Sequence, residues 1–298
     1  QHSATFDGKD GGFFRYSSQP DWNEPHPEKL LDDQASLLRN FLHAYLLTGE
    51  SVHRDSADGL IAYLDSTLWD GSKQAFLGCQ DYVRENDGPP LASTSQSNPM
   101  FPVIDAFVYC DANARTASAY LEAWWVLGRD DCLERAQQIL ESLWTDLRAP
   151  GRGMFHYSDG EPHAPGMLTD AVVAGAAFLD AFAVLQQEIY LDRAKELAAE
   201  MLLNHRSGQG GFLDISQTGP ASLRIPIPVL TQNALVAAFF VRLADLAGDL
   251  RQREHAVWAL KSFPNSHRLF GAFAAGFGHA LGRLLALPLV LTVAGEPG

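Results

Sequence analysis

The chain has 298 residues, of which 46% are apolar and 19% charged, and it carries a net charge of −14. This composition supports a sizeable core and excludes a disordered chain. The acid excess argues against a nucleic-acid partner, which calls for a basic face, and no continuous apolar run reaches the ~18 residues that span a bilayer, so no membrane partner is expected.

The predicted elements fall into repeats, each a Gly-rich or polar turn followed by two helices. The first repeat opens at Gly11-Gly12-Phe13-Phe14. Apolar residues at Leu30, Leu31, Leu37, Leu38, Phe41, Leu42 and Tyr45 follow at helical spacing. Gly49 is a fitting C-cap for this helix, and a second helix is expected from Ser51 to about Trp69. In the next repeat one helix begins near Asp111 and stops at Gly128, and its partner runs from Cys132 to about Leu147. The third repeat places helices at Leu168 to about Gln186 and Tyr190 to His205. The fourth places them at Leu230 to Leu246 and Arg251 to Phe263, with one more between His267 and Leu285. The tail from Pro288 to Ala294 reads as a short strand. Residues 87–102 and 219–228, rich in Pro, Ser and Asn, read as long loops.

The first helix of each pair is the more apolar and the second the more charged, as in Asp192-Arg193-Ala194-Lys195-Glu196. An inner and an outer helix per repeat predicts an all-α chain, an α/α toroid over residues 1–287, with an open solenoid as the alternative. The three cysteines, Cys79, Cys110 and Cys132, lie far apart without zinc or redox spacing. Such sparse use suits a reducing compartment, and a cytoplasmic location is expected.

Each inner helix opens on an acid or amide before alanine: Gln34-Ala35, Asn113-Ala114, Asp170-Ala171 and Asn233-Ala234. The structural reading is capping of free backbone N–H groups. The functional reading is that parallel inner helices bring these side chains, the glycine turns and the helix dipoles to one rim. Amides and carboxylates beside aromatic rings suit a polyhydroxylated, sugar-like ligand.

The densest candidate segment runs from Arg15 to Asp33. His26 and Glu28 are the acid/base candidates there, and Arg15, Tyr16, Trp22 and Asp33 are candidate pocket residues. Asn113, His156, Asp170 and Asn233 complete the expected substrate-binding set. Tyr157, Asp159, His163 and Asp111 lie on the same expected rim, and Glu28, Asp33, Asp111 and Asp170 are the carboxylates available for a glycosidase-like pair. An epimerase would instead pair His26 with His156 or His163. No phosphate-binding loop, nucleophile elbow or dinucleotide fingerprint is present, and neither a cofactor nor a metal is expected.

Gly11-Gly12-Phe13-Phe14-Arg15-Tyr16-Ser17, then Trp22, then Pro25-His26-Pro27-Glu28-Lys29-Leu30-Leu31-Asp32-Asp33-Gln34-Ala35 resembles the helical part of the YyaL-type, or spermatogenesis-associated, thioredoxin-domain proteins. Phe14, Pro27 and Asp32 depart from a histidine, a phenylalanine and a tyrosine in that pattern, whereas Arg15, His26 and Glu28 match it. The resemblance implies an (α/α)6 toroid of the six-hairpin glycosidase type, incomplete over this length. It also implies a thioredoxin-like domain upstream and a segment after residues 288–298 that completes the ring. The function expected is that of a sugar epimerase, isomerase or glycosidase relative. The alternative is a non-catalytic module that binds clients for a thioredoxin-like domain.

Overall fold

The computed structural model describes residues 5–84, 100–216 and 225–286. Two compact units divide the chain: Gln1–Pro150 with Met154–Pro165, and Gly151–Gly153 with Gly166–Gly298.

In the first unit, α1 (Leu31–Thr48) and α2 (Ser51–Tyr63) form a hairpin, as do α3 (Cys110–Leu127) and α4 (Asp130–Asp146). Gly49 closes α1 in the left-handed conformation, as its sequence position predicts, and its N–H donates to the Tyr45 carbonyl. A single π-helical turn, Leu64–Leu68, carries α2 on to Trp69. α1 packs on both α2 and α3, and α3 on α4. The inner and outer roles hold for the second pair. α3 buries residues all round, including Ala114, Ala117, Tyr120 and Leu121, while α4 buries a stripe of Cys132, Ala136, Ile139, Leu140 and Leu143. α1 differs from expectation, since it buries one face of Leu31, Gln34, Ala35, Leu38 and Leu42. A polar knot ties the hairpins together: Asp65 accepts from Tyr120 Oη and from Arg135 Nε, each at 3.2 Å. The Arg135 guanidinium lies 3.8 Å from the Trp69 ring centroid.

Short strands, which the helical periodicity does not reveal, lie at the starts of these helices. They are β1 (Lys29–Leu30), β2 (Trp69–Asp70), β3 (Ala75–Phe76), β4 (Cys79–Arg84), β5 (Met100–Asp105) and β6 (Val108–Tyr109). β7 (Arg148–Ala149), β8 (Gly153–Met154), β9 (Tyr157–Ser158) and β10 (Pro162–His163) follow. One antiparallel sheet has the order β1-β4-β5 and another the order β10-β9-β6. Residues 100–102 of the expected 87–102 loop are therefore strand, because Met100–Asp105 pairs in register with Cys79–Arg84. The rest of that loop up to residue 99 lies outside the described residues, as do residues 219–224 of the second expected loop and the expected terminal strand from 288.

In the second unit, α5 (Leu168–Leu185) pairs with α6 (Glu188–Asn204), and α7 (Leu230–Ala247) packs on α5, α8 (Arg253–Leu260) and α9 (Ala275–Leu285). The helix expected over 267–285 is broken, because two 3₁₀ turns and Gly271 at φ 52° precede α9. Fully buried Phe178, Leu179, Phe239 and Phe240 form the core here, each contributing about 1.5–3 kcal/mol by burial. Arg242 Nη2 bonds Asp180 Oδ1 at 2.6 Å, joining α7 to α5. α5 and α7 are long and apolar enough to cross a membrane by length and composition, a point the interrupted apolar runs of the sequence did not anticipate. Each nevertheless buries more than half of its residues inside the fold, as core helices do.

The repeated amides do not cap their own helices. α1, α3, α5 and α7 have no side-chain cap hydrogen bond. Three of these side chains instead clasp the backbone of a distant phenylalanine. Gln34 accepts from Phe13 N–H and donates to Phe13 C=O, both at 2.8 Å. Asn113 does the same to Phe76 at 2.8 and 2.9 Å, and Asn233 to Phe212 at 2.7 and 2.9 Å.

Candidate functional site

The described chemistry in the first unit gathers where α1 and α3 begin. The segment before α1 is an irregular ladder: Arg15 N–H donates to Glu28 C=O at 2.8 Å, and His26 N–H to Tyr16 C=O at 2.7 Å. A second, buried anchor fixes its base. Lys29, fully buried, bonds Asp7 Oδ2 and the Gly11 carbonyl at 2.7 Å each, under the ring of Tyr63.

This ladder places the expected residues as follows. Arg15 Nη1 pairs with Glu28 Oε2 at 2.8 Å. Glu28 therefore takes Arg15 as its partner, and no contact between His26 and Glu28 is found among the described residues. The His26 ring is exposed and stacks on Tyr16 with centroids 5.0 Å apart and planes within 11°. Trp22 stands 53% exposed with φ 61°, at the tip of the segment and away from the ion pair in sequence. Asp33 lies in the first turn of α1. Burial pushes its carboxyl pKa up, with Asp32 and Glu28 adding repulsion and Arg15 opposing them.

Beside this cluster lies a second one that the sequence reading reached only in part. Leu30, Cys79 and Asp105 are register partners across β1, β4 and β5, so Asp105 lies about 10 Å from the strand that follows Glu28. The Asp105 carboxylate accepts from the Phe107 N–H and from Tyr109 Oη, each at 3.1 Å. Gly78 N–H donates to the Asp105 carbonyl, and the Gly78 carbonyl accepts from Leu31, the first residue of α1. A side chain at Gly78 would meet the Tyr109 ring at 2.6 Å and Asp105 Oδ2 at 2.8 Å, so this close approach requires glycine. Burial, then the bond to Asp105, pushes the Tyr109 phenol up to about 12. Cys79, between the two clusters, feels both Asp105 and Glu28; with burial as the leading cause, its thiol rises to about 11. It is a poor nucleophile there.

Tyr109, Tyr157 and His163 are register partners across β6, β9 and β10 and so share one sheet face. His156 N–H donates to the His163 carbonyl, and the His156 carbonyl accepts from Cys110, the first residue of α3. The His156 ring meets Tyr109 and Tyr157 edge to face. His163 Nε2 is 2.9 Å from Asp159 Oδ1. The starts of α1 and α3 thus border the carboxylates of Glu28, Asp33, Asp105 and Asp159, the imidazoles of His26, His156 and His163, and several rings, where helix dipoles favour negative charge.

Asn113 and Asn233 require correction. Both are fully buried with their amides committed to the Phe76 and Phe212 backbones, so neither has a group to offer a ligand. Asp170, at the start of α5 in the second unit, is also fully buried. Asp105, Phe107 and Tyr109 were missed because they follow a stretch that reads as polar loop, although the Asp-x-Phe-x-Tyr alternation is itself a strand signal.

No family model matches this chain. A stretch of 57 residues, 19% of the chain, is 40% identical to spermatogenesis-associated protein 20 of Mus musculus and of Homo sapiens, and covers 7% of each of those proteins. Among solved structures, a sugar epimerase from a ruminal bacterium matches with TM-score 0.69 at 13% identity, over 88% of this chain and 67% of that one. A D-mannose isomerase gives 0.67 at 18%, over 86% and 65%. A GH76 α-mannanase of Bacteroides thetaiotaomicron gives 0.61 at 12%, over 83% and 65%. The fold is therefore all-α, of the (α/α)6 six-hairpin glycosidase type. The chain spans about two thirds of the length of these structures.

Proposed function

We propose that this chain carries a carbohydrate-binding active site in which Asp33 and Glu28 are the proton-transfer pair. The observation that carries the reading is the Arg15–Glu28 ion pair beside Asp33, whose carboxyl burial holds protonated to higher pH than usual. A carboxyl group that burial keeps protonated, beside a carboxylate held in an ion pair, can act as acid and base. Asp33 would deliver a proton to a departing or carbonyl oxygen. Glu28, oriented by Arg15, would accept one from water or from carbon. Tyr16 and His26 form an exposed stacked lip suited to the C–H face of a sugar ring. In the epimerase variant of this reading, His26 supplies the base. The sugar-processing activities named for the structures of the same fold are consistent with such a ligand. A cytoplasmic location belongs to the same proposal.

The test is product detection by NMR in incubations with mannose, cellobiose and α-1,6-mannotriose. Turnover of one of these, lost in Glu28→Gln and in Asp33→Asn while the fold is kept, supports the proposal. Turnover unaffected by both substitutions overturns the assignment.

The resemblance of the Gly11–Ala35 segment to the thioredoxin-domain proteins suggests a second reading, a non-catalytic client-binding module coupled to a thioredoxin-like domain. Thiol-trapped partners of a longer parent protein that remain captured after Glu28→Gln would support that reading.

A further inference from the structure

We infer that the strap Asp105–Tyr109 forms a second sugar subsite, so that the substrate has two or more linked sugar units. This rests on the carbohydrate reading above. Phe107 is 37% exposed, yet it is not a loose surface side chain. Its ring stacks on Tyr157 with centroids 5.4 Å apart and planes within 16°, and Tyr157 is backed in turn by His163 at 5.0 Å. Its backbone N–H is tied to Asp105 Oδ1. The outer face of Phe107 is thus a rigid apolar plate beside a fixed carboxylate.

That pairing of ring and acceptor matches the amphipathic faces of a pyranose, whose axial C–H groups stack while its equatorial hydroxyls donate. Asp105 keeps lone pairs beyond the two bonds it already accepts. The Tyr157 hydroxyl has no hydrogen-bond partner among the described residues and adds a donor and acceptor to the same face. Two strand spacings separate the Leu30 and Asp105 positions, about 10 Å, wider than a single pyranose ring. A linked sugar bound over Glu28 would therefore place a further unit at Phe107.

The experiment is calorimetric titration of the full chain with mannose, cellobiose and α-1,6-mannotriose, repeated with Phe107→Ala and Tyr157→Phe. The expected result is at least about tenfold tighter binding of one of the linked sugars than of mannose. Phe107→Ala should lose that advantage and leave mannose affinity within about twofold, while Tyr157→Phe, which keeps the stack and removes only the hydroxyl, should lose part of it. Phe107 is exposed, so its removal spares the core, and unchanged thermal unfolding verifies this. Equal affinity for mannose and both linked sugars, or a length preference untouched by Phe107→Ala, overturns the subsite while the carbohydrate reading stands. Absence of binding by every sugar in the panel overturns both.

Discussion

Asn113 grips Phe76 across 37 residues of sequence: Phe76 N–H donates to Asn113 Oδ1 at 2.8 Å, and Asn113 Nδ2 donates to Phe76 C=O at 2.9 Å. Nδ2 also donates to the Tyr109 carbonyl at 3.0 Å. The side chain thus stands in for a strand partner and hangs the β2–β3 turn on the first turn of α3. Asn233 repeats this geometry toward Phe212 and Val229 in the second unit.

Replacing Asn113 by alanine would strip partners from a buried N–H and a buried C=O. Each unsatisfied group costs about 1–3 kcal/mol, so Asn113→Ala should destabilise by roughly 2–4 kcal/mol. Asn113→Asp keeps the acceptor but turns the Nδ2 donor into a second oxygen facing two carbonyls, and should be at least as damaging. Denaturant unfolding measures both. Values near zero would show that the clasp adds nothing.

A second outcome concerns Lys29, buried without exposure against Asp7 and Gly11. Lys29→Ala leaves Asp7 without its counter-ion and should cost about 3–5 kcal/mol. The double variant Lys29→Met, Asp7→Leu removes both charges and should recover most of that loss. A double variant as unstable as the single one would mean that the hydrogen bond to the Gly11 carbonyl, not the ion pair, fixes the segment.

Asp33 gives a pH signature. Its folded-state pKa is raised, so the native state holds the proton more tightly than the unfolded chain. Its contribution to stability is fully present below the unfolded value of about 3.9 and is lost as pH rises through the folded value. Asp33→Asn should therefore be more stable than the parent at neutral pH, with the gain vanishing in acid. A thermal-unfolding series from pH 3 to pH 8 reads this, and an equal effect at every pH would contradict it.

His205 acts with the opposite sense. It is 2% exposed, its Nδ1 lies 3.0 Å from the Leu213 carbonyl, and burial lowers its pKa. Its contribution is present above the unfolded value of about 6.5 and is lost as pH falls toward the folded one. The parent should lose stability between about pH 7 and pH 5, more steeply than His205→Gln. Identical slopes would remove His205 as the cause.

Much of the helical frame is legible in the residues themselves. The spacing from Leu31 to Tyr45, the left-handed glycines after α1 and α3 and the charge of Asp192 to Glu196 mark the inner and outer helices. What the sequence hides is long-range backbone pairing. Nothing local to Asn113 announces Phe76, so a residue that recurs at helix starts reads equally well as cap, ligand or clasp. The strand pairing of β4 with β5 is hidden for a similar reason, since the segment joining them is polar and its register depends on residues far away. The candidate site divides along the same line. Arg15, Glu28 and Asp33 stand out because they crowd one short segment. Asp105 and Phe107 join them through a sheet whose order follows no sequence neighbourhood.

The central claim is that the rim around Arg15, Glu28 and Asp33 binds sugar. The most direct measurement is a thermal-shift titration of the full chain against a panel of mono- and oligosaccharides, run in parallel with Arg15→Ala. A sugar present at one hundred times its dissociation constant stabilises by about 2.7 kcal/mol, well within detection. The account predicts a selective upward shift for one sugar class that disappears in Arg15→Ala. No shift with any sugar, or the same shift in the variant, would contradict it.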